Sequence, residues 1–425
     1  MVMNSIYSLI ISTYLFIIVI GTLLNKYFKM PWMFTVVIYG TIISIFGWFS
    51  EASQGGDFQL LARFGMLFFL FTIGLDLNLR ELKKLGKLII FGNIALVMVE
   101  ATALALVFYF LYPSFVNNSF FVALITGMAF GTVGEVLLLA ILKEFGVEKT
   151  RFGQLALGIG VFDDIFEIFA MGVIVALPAF IINNNGQSHA LQNGLEVFGT
   201  LIALILITGV FVKASKWIKS SIQKFGQLND KIPPFLILMI FFSFVYFSSM
   251  KFENIGIIAA IFSGVTLNAL LPVAWVEQYK KPIFFAANFI FGPFYFLKLG
   301  SGISISALLE NPVLILIIMT VSVSSRLLVS FLMFRKTLGK RESLVMGVAL
   351  SNKFSTSVIS ENLLFTSGLI AAPLYSAIMV VFLILKPIVI GVFSHNLAII
   401  KDDLIILEKE HSGAGITVVP EIVTE

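Results

Sequence analysis

The chain has 425 residues, 59% of them hydrophobic and 12% charged, with a mean hydropathy of +1.01; soluble domains carry roughly 25% charged residues, so a polytopic helical membrane protein is read rather than a soluble domain. The absence of cysteine excludes disulfides, thiolate metal sites and thiol catalysis, and His189, His395 and His411 fall in or beside loops, against a buried histidine metal site or proton relay. The net charge of +4 reflects basic cytoplasmic loops, not nucleic-acid binding.

Apolar runs of about 18 residues or more read as membrane-spanning helices. Dividing the chain at Pro, Gly, Asn and charge clusters predicts thirteen spans. Span 1 covers residues 5 to 24; it lacks a basic n-region and an A-x-A-like cleavage site and is read as a retained helix rather than a signal peptide. Spans 2 to 6 cover 31 to 49, 60 to 77, 88 to 112, 119 to 142 and 153 to 182. Spans 7 to 10 cover 195 to 218, 233 to 250, 254 to 272 and 282 to 308, and spans 11 to 13 cover 312 to 334, 342 to 365 and 371 to 394.

Basic residues accumulate on one side of this arrangement. The loops after the odd-numbered spans hold Lys26 and Lys29; Arg80, Lys83 and Lys84; Lys143, Lys149 and Arg151; Lys213, Lys216, Lys219 and Lys224; Lys280 and Lys281; Arg335, Lys336, Lys340 and Arg341. The opposite loops hold almost none. Lysine and arginine mark the cytoplasmic side, so the N-terminus is expected outside and the C-terminus in the cytoplasm. A missed or extra span would break the pattern downstream of it.

An odd span count accommodates two six-span halves of opposite orientation around a linking span, the inverted repeat of secondary transporters. Span 3 contains Phe68-Phe69-Leu70-Phe71-Thr72-Ile73-Gly74 and span 10 contains Phe294-Tyr295-Phe296-Leu297-Lys298-Leu299-Gly300. Spans 5 and 12 pair likewise through Gly127 and Gly347. Each then enters a polar stretch, Gly131-Thr132-Val133-Gly134-Glu135 in one and Ser351-Asn352-Lys353-Phe354-Ser355 in the other. Polar, helix-poor residues at membrane depth are tolerated where backbone lines a cavity, and matched interruptions in two halves point to a transporter's substrate site. If both helices break there, Glu135 offsets the positive helix ends and Lys353 the negative ones.

Between these interruptions, in span 6, Asp163 and Asp164 sit side by side in a long apolar run. Charge at bilayer depth costs several kcal/mol, so a doubled carboxylate marks an ion or proton pathway. On a helix Asp163 and Glu167 share a face while Asp164 points about 100° away. One carboxylate can therefore pair with Arg326 of span 11 while the other faces a cavity. Hard monovalent cations favour oxygen ligands, which Asp164, Asp163, Thr132 and freed carbonyls supply.

The stretch Phe130-Gly131-Thr132, with Leu142-Lys143-Glu144-Phe145-Gly146, Arg151-Phe152-Gly153 and Phe162-Asp163-Asp164-Ile165, resembles the membrane domain of the second family of bacterial monovalent cation:proton antiporters, the Kef-type and Nap-type exchangers. Residues 69 to 77, with Gly74-Leu75-Asp76-Leu77, and 257 to 268 add to the likeness, which covers most of 5 to 394. The resemblance implies an all-α fold with two crossed interrupted helices, in which Asp164 binds cation and proton in competition and Asp163 pairs with the basic residue on span 11. It implies scaffold and dimerisation helices over 1 to 87, core helices over 88 to 182, linker and scaffold over 183 to 310, core over 311 to 394, and a short cytoplasmic tail over 395 to 425. It further implies a homodimer in the bacterial inner membrane, elevator-like alternating access, no cofactor, Na+ preferred over K+, and a role in pH homeostasis.

Three departures from that pattern carry chemistry. Arg326 stands where electrogenic members have lysine, and arginine does not release a proton. Lys298 replaces a small hydroxyl residue, and Asn352-Lys353 replaces a more glycine-rich crossing. Kef-type relatives carry a cytoplasmic nucleotide-binding regulatory domain; the short tail ending at Glu425 predicts none in cis.

Structural alternatives stand beside each role. Thr132 either contacts the transported ion or bonds its own backbone; Arg326 either takes part in transport or only neutralises Asp163 or Glu167. Lys298 either pairs with a carboxylate across a domain interface or snorkels toward a cavity. Glu100 and Glu361 are weighted toward structural pairing. Among rival functions, a passive channel is disfavoured by the matched interruptions, and an intramembrane aspartyl protease by the placement of both aspartates on one helix. A sodium-coupled organic-solute symporter on a related inverted-repeat fold is the strongest alternative.

Overall fold

The computed structural model describes residues 2 to 28, 30 to 77, 86 to 181, 187 to 226, 232 to 250, 255 to 353 and 356 to 413. The side chains of Asp164, Glu135, His189 and His411, and of the basic residues Lys29, Arg80, Lys83, Lys84, Lys216 and Lys224, lie outside this description, as do Phe354 and Ser355. Among the described residues every regular element is helical. Seven helices among the described residues are long and apolar enough to cross a bilayer: Ser5–Phe28, Gly56–Asp76, Lys87–Leu111, Glu196–Ser215, Gln278–Ser301, Pro312–Phe334 and Ala372–Asp402. Shorter apolar helices occupy Trp32–Phe46, Phe120–Phe130, Pro233–Ser249 and Ile255–Leu270. The chain is an integral membrane protein, because helices of this composition satisfy their backbone internally while presenting apolar side chains to lipid.

The chain divides into two compact units, one of residues 1–22, 32–77 and 171–302, the other of 23–31, 78–170 and 303–425. In the first unit, Gly56–Asp76 packs on Ile255–Leu270, and Trp32–Phe46 packs on Gly292–Ser301. Glycine makes both crossings possible. A Cβ on Gly74 would collide with the Ile261 carbonyl oxygen, and one on Gly300 with that of Val37. Gly264 and Gly40 make the reciprocal approaches, to Phe71 and Leu297. Gly74 and Gly300 are the residues that the internal repeat aligns, so the two halves solve the same packing problem with the same residue. Small residues let membrane helices approach backbone to backbone. Gly74→Ala and Gly300→Ala are each expected to cost about 1–3 kcal/mol by overpacking, read as a lowered thermal unfolding midpoint of the purified protein in detergent.

The second unit is assembled around Lys87–Leu111, which packs on both Phe120–Phe130 and Pro312–Phe334. Pro312–Phe334 in turn packs on Lys340–Ala349, and Thr356–Thr366 packs on Phe120–Phe130 and on the final helix, Ala372–Gly413. A continuous apolar core including Leu96, Leu142, Phe152, Ile159, Phe334 and Met346 lies beneath these elements. Gly127 and Gly347 again mark matched crossings, the first against Ala101, the second against Arg326 and Leu327.

Two predicted spans are broken where the polar stretches were found. Phe120–Phe130 stops, the chain unwinds through Gly131 to Gly134, and Glu135–Glu144 resumes. Lys340–Ala349 stops before Ser351, and Thr356–Thr366 follows. Other boundaries move. The final helix continues to Gly413 instead of ending at the predicted 394, because Leu397, Ile400 and Leu404 repeat at helical spacing and are buried. The predicted span 10 ends at Ser301, and a separate short helix, Ile305–Glu310, is capped by the Ser304 hydroxyl, which accepts from the Ala307 N–H at 3.3 Å.

Candidate functional site

The two breaks in the second unit are braced against each other by backbone. The Gly134 N–H donates to the Asn352 carbonyl at 2.7 Å, and the Asn352 side-chain amide donates to the Gly134 carbonyl at 2.8 Å. Helix ends leave backbone donors and acceptors unsatisfied, and the site is built from those groups. Lys353 Nζ donates to the Phe130 carbonyl at 3.1 Å and lies 4.7 Å from the Phe130 ring centroid. A cation is thereby held at the negative end of the half-helix Phe120–Phe130, the place that the sequence reading assigned to it.

The helix Arg151–Ile181 brings its carboxylates to the first break. Asp163 is fully buried, and its Oδ2 accepts the Val133 N–H at 2.5 Å; its Oδ1 has no hydrogen-bond partner. Glu167, one turn further along the same face, is buried beside Thr132, with one carboxylate oxygen unpartnered. Thr132 is buried and hydrogen-bonded to the Ser357 hydroxyl. Asn93 lies next to Asp163. The structure therefore gathers Asp163, Glu167 and Thr132 into one group of oxygen atoms beside freed backbone.

Arg326 requires a correction. Its expected pairing with Asp163 or Glu167 is not what the structure shows: Arg326 Nε is 2.5 Å from Glu100 Oε2. Lys353 Nζ lies 2.6 Å from the other Glu100 oxygen, which also accepts the Ser322 hydroxyl. Glu100, Arg326 and Lys353 are all buried. The physical reason is direct packing of Lys87–Leu111 on Pro312–Phe334, which sets Glu100 opposite Arg326, while Asp163 is taken by the Val133 N–H that the helix break frees. Arg326 remains within electrostatic range of Asp163. One carboxylate thus serves two cations, and Glu100 makes the structural pairing expected of it, with partners that the sequence did not name. Its signal was present, a charge in the middle of an otherwise apolar span, without any indication of its partner.

Of the two alternatives for Lys298, the carboxylate pairing is not seen among the described ion pairs; the side chain lies half-buried in Gly292–Ser301 within the first unit, near the like charge of Arg63.

Known proteins resemble the chain over most of its length. The family described as sodium/hydrogen exchanger, transmembrane, matches residues 13–395. The Na+/H+ antiporter NhaS4 of Synechocystis is 28% identical over 298 residues, covering 63% of this chain and 68% of that protein. The Na+/H+-K+ antiporter GerN of Bacillus cereus is 24% identical over 355 residues, covering 81% of this chain and 84% of that protein. The solved structure of the sodium proton antiporter MjNhaP1 from Methanocaldococcus jannaschii shares the fold, with a TM-score of 0.58 at 14% identity, covering 95% of this chain and 98% of that one. With a match spanning both broken helices and the carboxylate helix between them, the chain belongs to the transmembrane sodium/hydrogen exchanger family.

Proposed function

We propose that the protein is a secondary active antiporter that exchanges a monovalent cation, Na+ in preference and K+ as a second substrate, for protons. The observation that carries this reading is the gathering of Asp163, Glu167 and Thr132 at a helix break, where backbone freed from the helix adds to the side-chain oxygens. A carboxylate in such a place holds either a hard cation or a proton, and competition between the two is what exchange requires. Asp164, next along the same helix, is the carboxylate that takes up cation and proton in competition. NhaS4 is named for Na+/H+ exchange and GerN for Na+, H+ and K+, and both names support the choice of ions. Relatives named as antiporters give the solute-symporter alternative no support.

In this reading thirteen spans place the N-terminus outside and the C-terminus in the cytoplasm of a bacterial inner membrane. The unit with the broken helices carries the site in an elevator-like cycle, the other unit forms the scaffold, and two chains form a homodimer. Glu100, Arg326 and Lys353 hold the core of the carrier together and set the field at the ion site.

The test is dissipation of an imposed pH gradient by Na+, K+ or Li+ in liposomes containing the purified full chain. A saturable response, strongest with Na+, is expected. Silence with every cation overturns the proposal.

A further inference from the structure

One buried polar side chain beside the ion site has no role in the pairings described above. Asn93, in Lys87–Leu111, is fully buried, and neither atom of its side-chain amide has a hydrogen-bond partner among the described residues. Burying an amide without a partner is costly. A group left so in a native fold points to something that it binds beyond the protein's own hydrogen bonds.

Helix packing carries this amide to the first break. Asn93, Val97 and Ala101 follow one another at four-residue spacing and share one face of their helix. A Cβ on Gly127 would collide with Ala101, and one on Gly131 would come within 3.3 Å of a Val97 methyl carbon. The two segments therefore run antiparallel in contact, and the next position of that face, Asn93, meets the unwound stretch that follows Gly131. Val133, whose N–H holds Asp163 Oδ2, belongs to that stretch, and Asn93 lies next to Asp163. Around Asp163 three side chains thus bring an oxygen without a hydrogen-bond donor among the described residues: Asn93 Oδ1, Asp163 Oδ1 and one carboxylate oxygen of Glu167. A water molecule has two protons to donate, whereas a cation accepts oxygen ligands from all three. Amide carbonyls are ordinary ligands of hard cations.

We propose that Asn93 is a specificity-determining ligand of the exchanger: its amide carbonyl supplies a neutral oxygen to the transported cation at the Asp163 and Glu167 group, and so sets which alkali ion the site prefers. The carboxylates balance the charge of the ion. The amide adds an oxygen of weaker field, and the number and strength of the oxygens around an ion are what separate one alkali cation from another. A small ion is satisfied by few strong ligands, and a larger one needs more of them. Two turns along the same helix Glu100 holds Arg326 and Lys353, so one helix face carries both the neutral ligand and the carboxylate that answers the two fixed cations. This inference rests on the antiport reading.

The test compares Li+, Na+ and K+ as drivers of pH-gradient dissipation in proteoliposomes of the full chain, each over a range of concentration. Asn93→Leu keeps the branched shape and removes the oxygen. Its half-saturating Na+ concentration is expected to rise about tenfold or more, the scale on which residues around a bound metal change its affinity. K+, which needs more oxygens, is expected to lose more, so the preference for Na+ over K+ widens. Asn93→Asp keeps the shape and the oxygens, lacks the amide N–H and adds a strong ligand; it is expected to keep saturation by cation and to shift preference toward Li+ and Na+. The same shift serves as the test if Asn93→Leu does not fold. Ratios among the three cations that stay at their wild-type values in the folded variants, whatever the fall in rate, overturn the proposal, since a residue that only packs, or only donates its N–H to Asp163, weakens every cation alike. A wild-type protein silent with all three cations removes the antiport reading itself, an outcome distinct from failure of the Asn93 assignment alone.

Discussion

Replacing Asp164 by Asn is expected to abolish cation-driven dissipation of a pH gradient, by about a hundredfold or more, without loss of the folded protein. The amide keeps the volume of the carboxyl but neither takes up a proton at neutral pH nor balances the charge of a desolvated cation. Asp163 is not an equivalent replacement, because one of its two carboxylate oxygens is already engaged by the Val133 N–H at the helix break. Asp163→Asn should therefore behave differently. It weakens the contact that ties the carboxylate helix to the break, and a fall in thermal stability is expected along with a fall in rate. Both variants are compared in the same liposome assay, with size-exclusion profile and thermal midpoint in detergent as controls. Gradient-driven flux that survives Asp164→Asn would move the cation site to the Asp163 and Glu167 face.

Glu100→Gln is expected to have the largest effect on stability. The carboxylate is buried between Arg326 at 2.5 Å and Lys353 at 2.6 Å, and removing its charge leaves both cations without their direct ion-pair partner. Removing one partner of a buried pair typically costs about 3–5 kcal/mol. A strongly lowered thermal midpoint and reduced yield of folded protein are the expected readouts. The double variant Glu100→Gln with Lys353→Met removes one of the stranded cations and should recover part of the loss, with a coupling of about 0.5–3 kcal/mol between the two sites. Additive losses in the double variant would show that Lys353 is held chiefly by the Phe130 carbonyl and ring. Arg326→Lys is not an equivalent exchange, since guanidinium and ammonium differ in geometry and hydration.

The amino-acid sequence alone determined the membrane class, the two helix breaks, the matched glycines and the placement of Asp163 and Glu167 on one helix face. Each of these follows from local rules. A long apolar run can meet lipid only as a helix; glycine and polar residues at membrane depth unwind it; and the helical repeat decides which side chains on one helix point together. Gly74 and Gly300 were legible as repeat-related, although the backbone contacts that explain them, to Ile261 and Val37, became visible only in the fold.

Tertiary structure decided the pairings between helices. The choice of Glu100 for Arg326, the sharing of that carboxylate with Lys353, and the link from Thr132 to Ser357 all depend on how far each helix is rotated and at what depth it meets its neighbour. Periodicity within one helix carries no information about either quantity. The position of Lys298 beside Arg63, away from any described carboxylate partner, was decided in the same way. In a membrane interior the consequences are large, because a small change of rotation or depth separates a paired charge from an unpaired one.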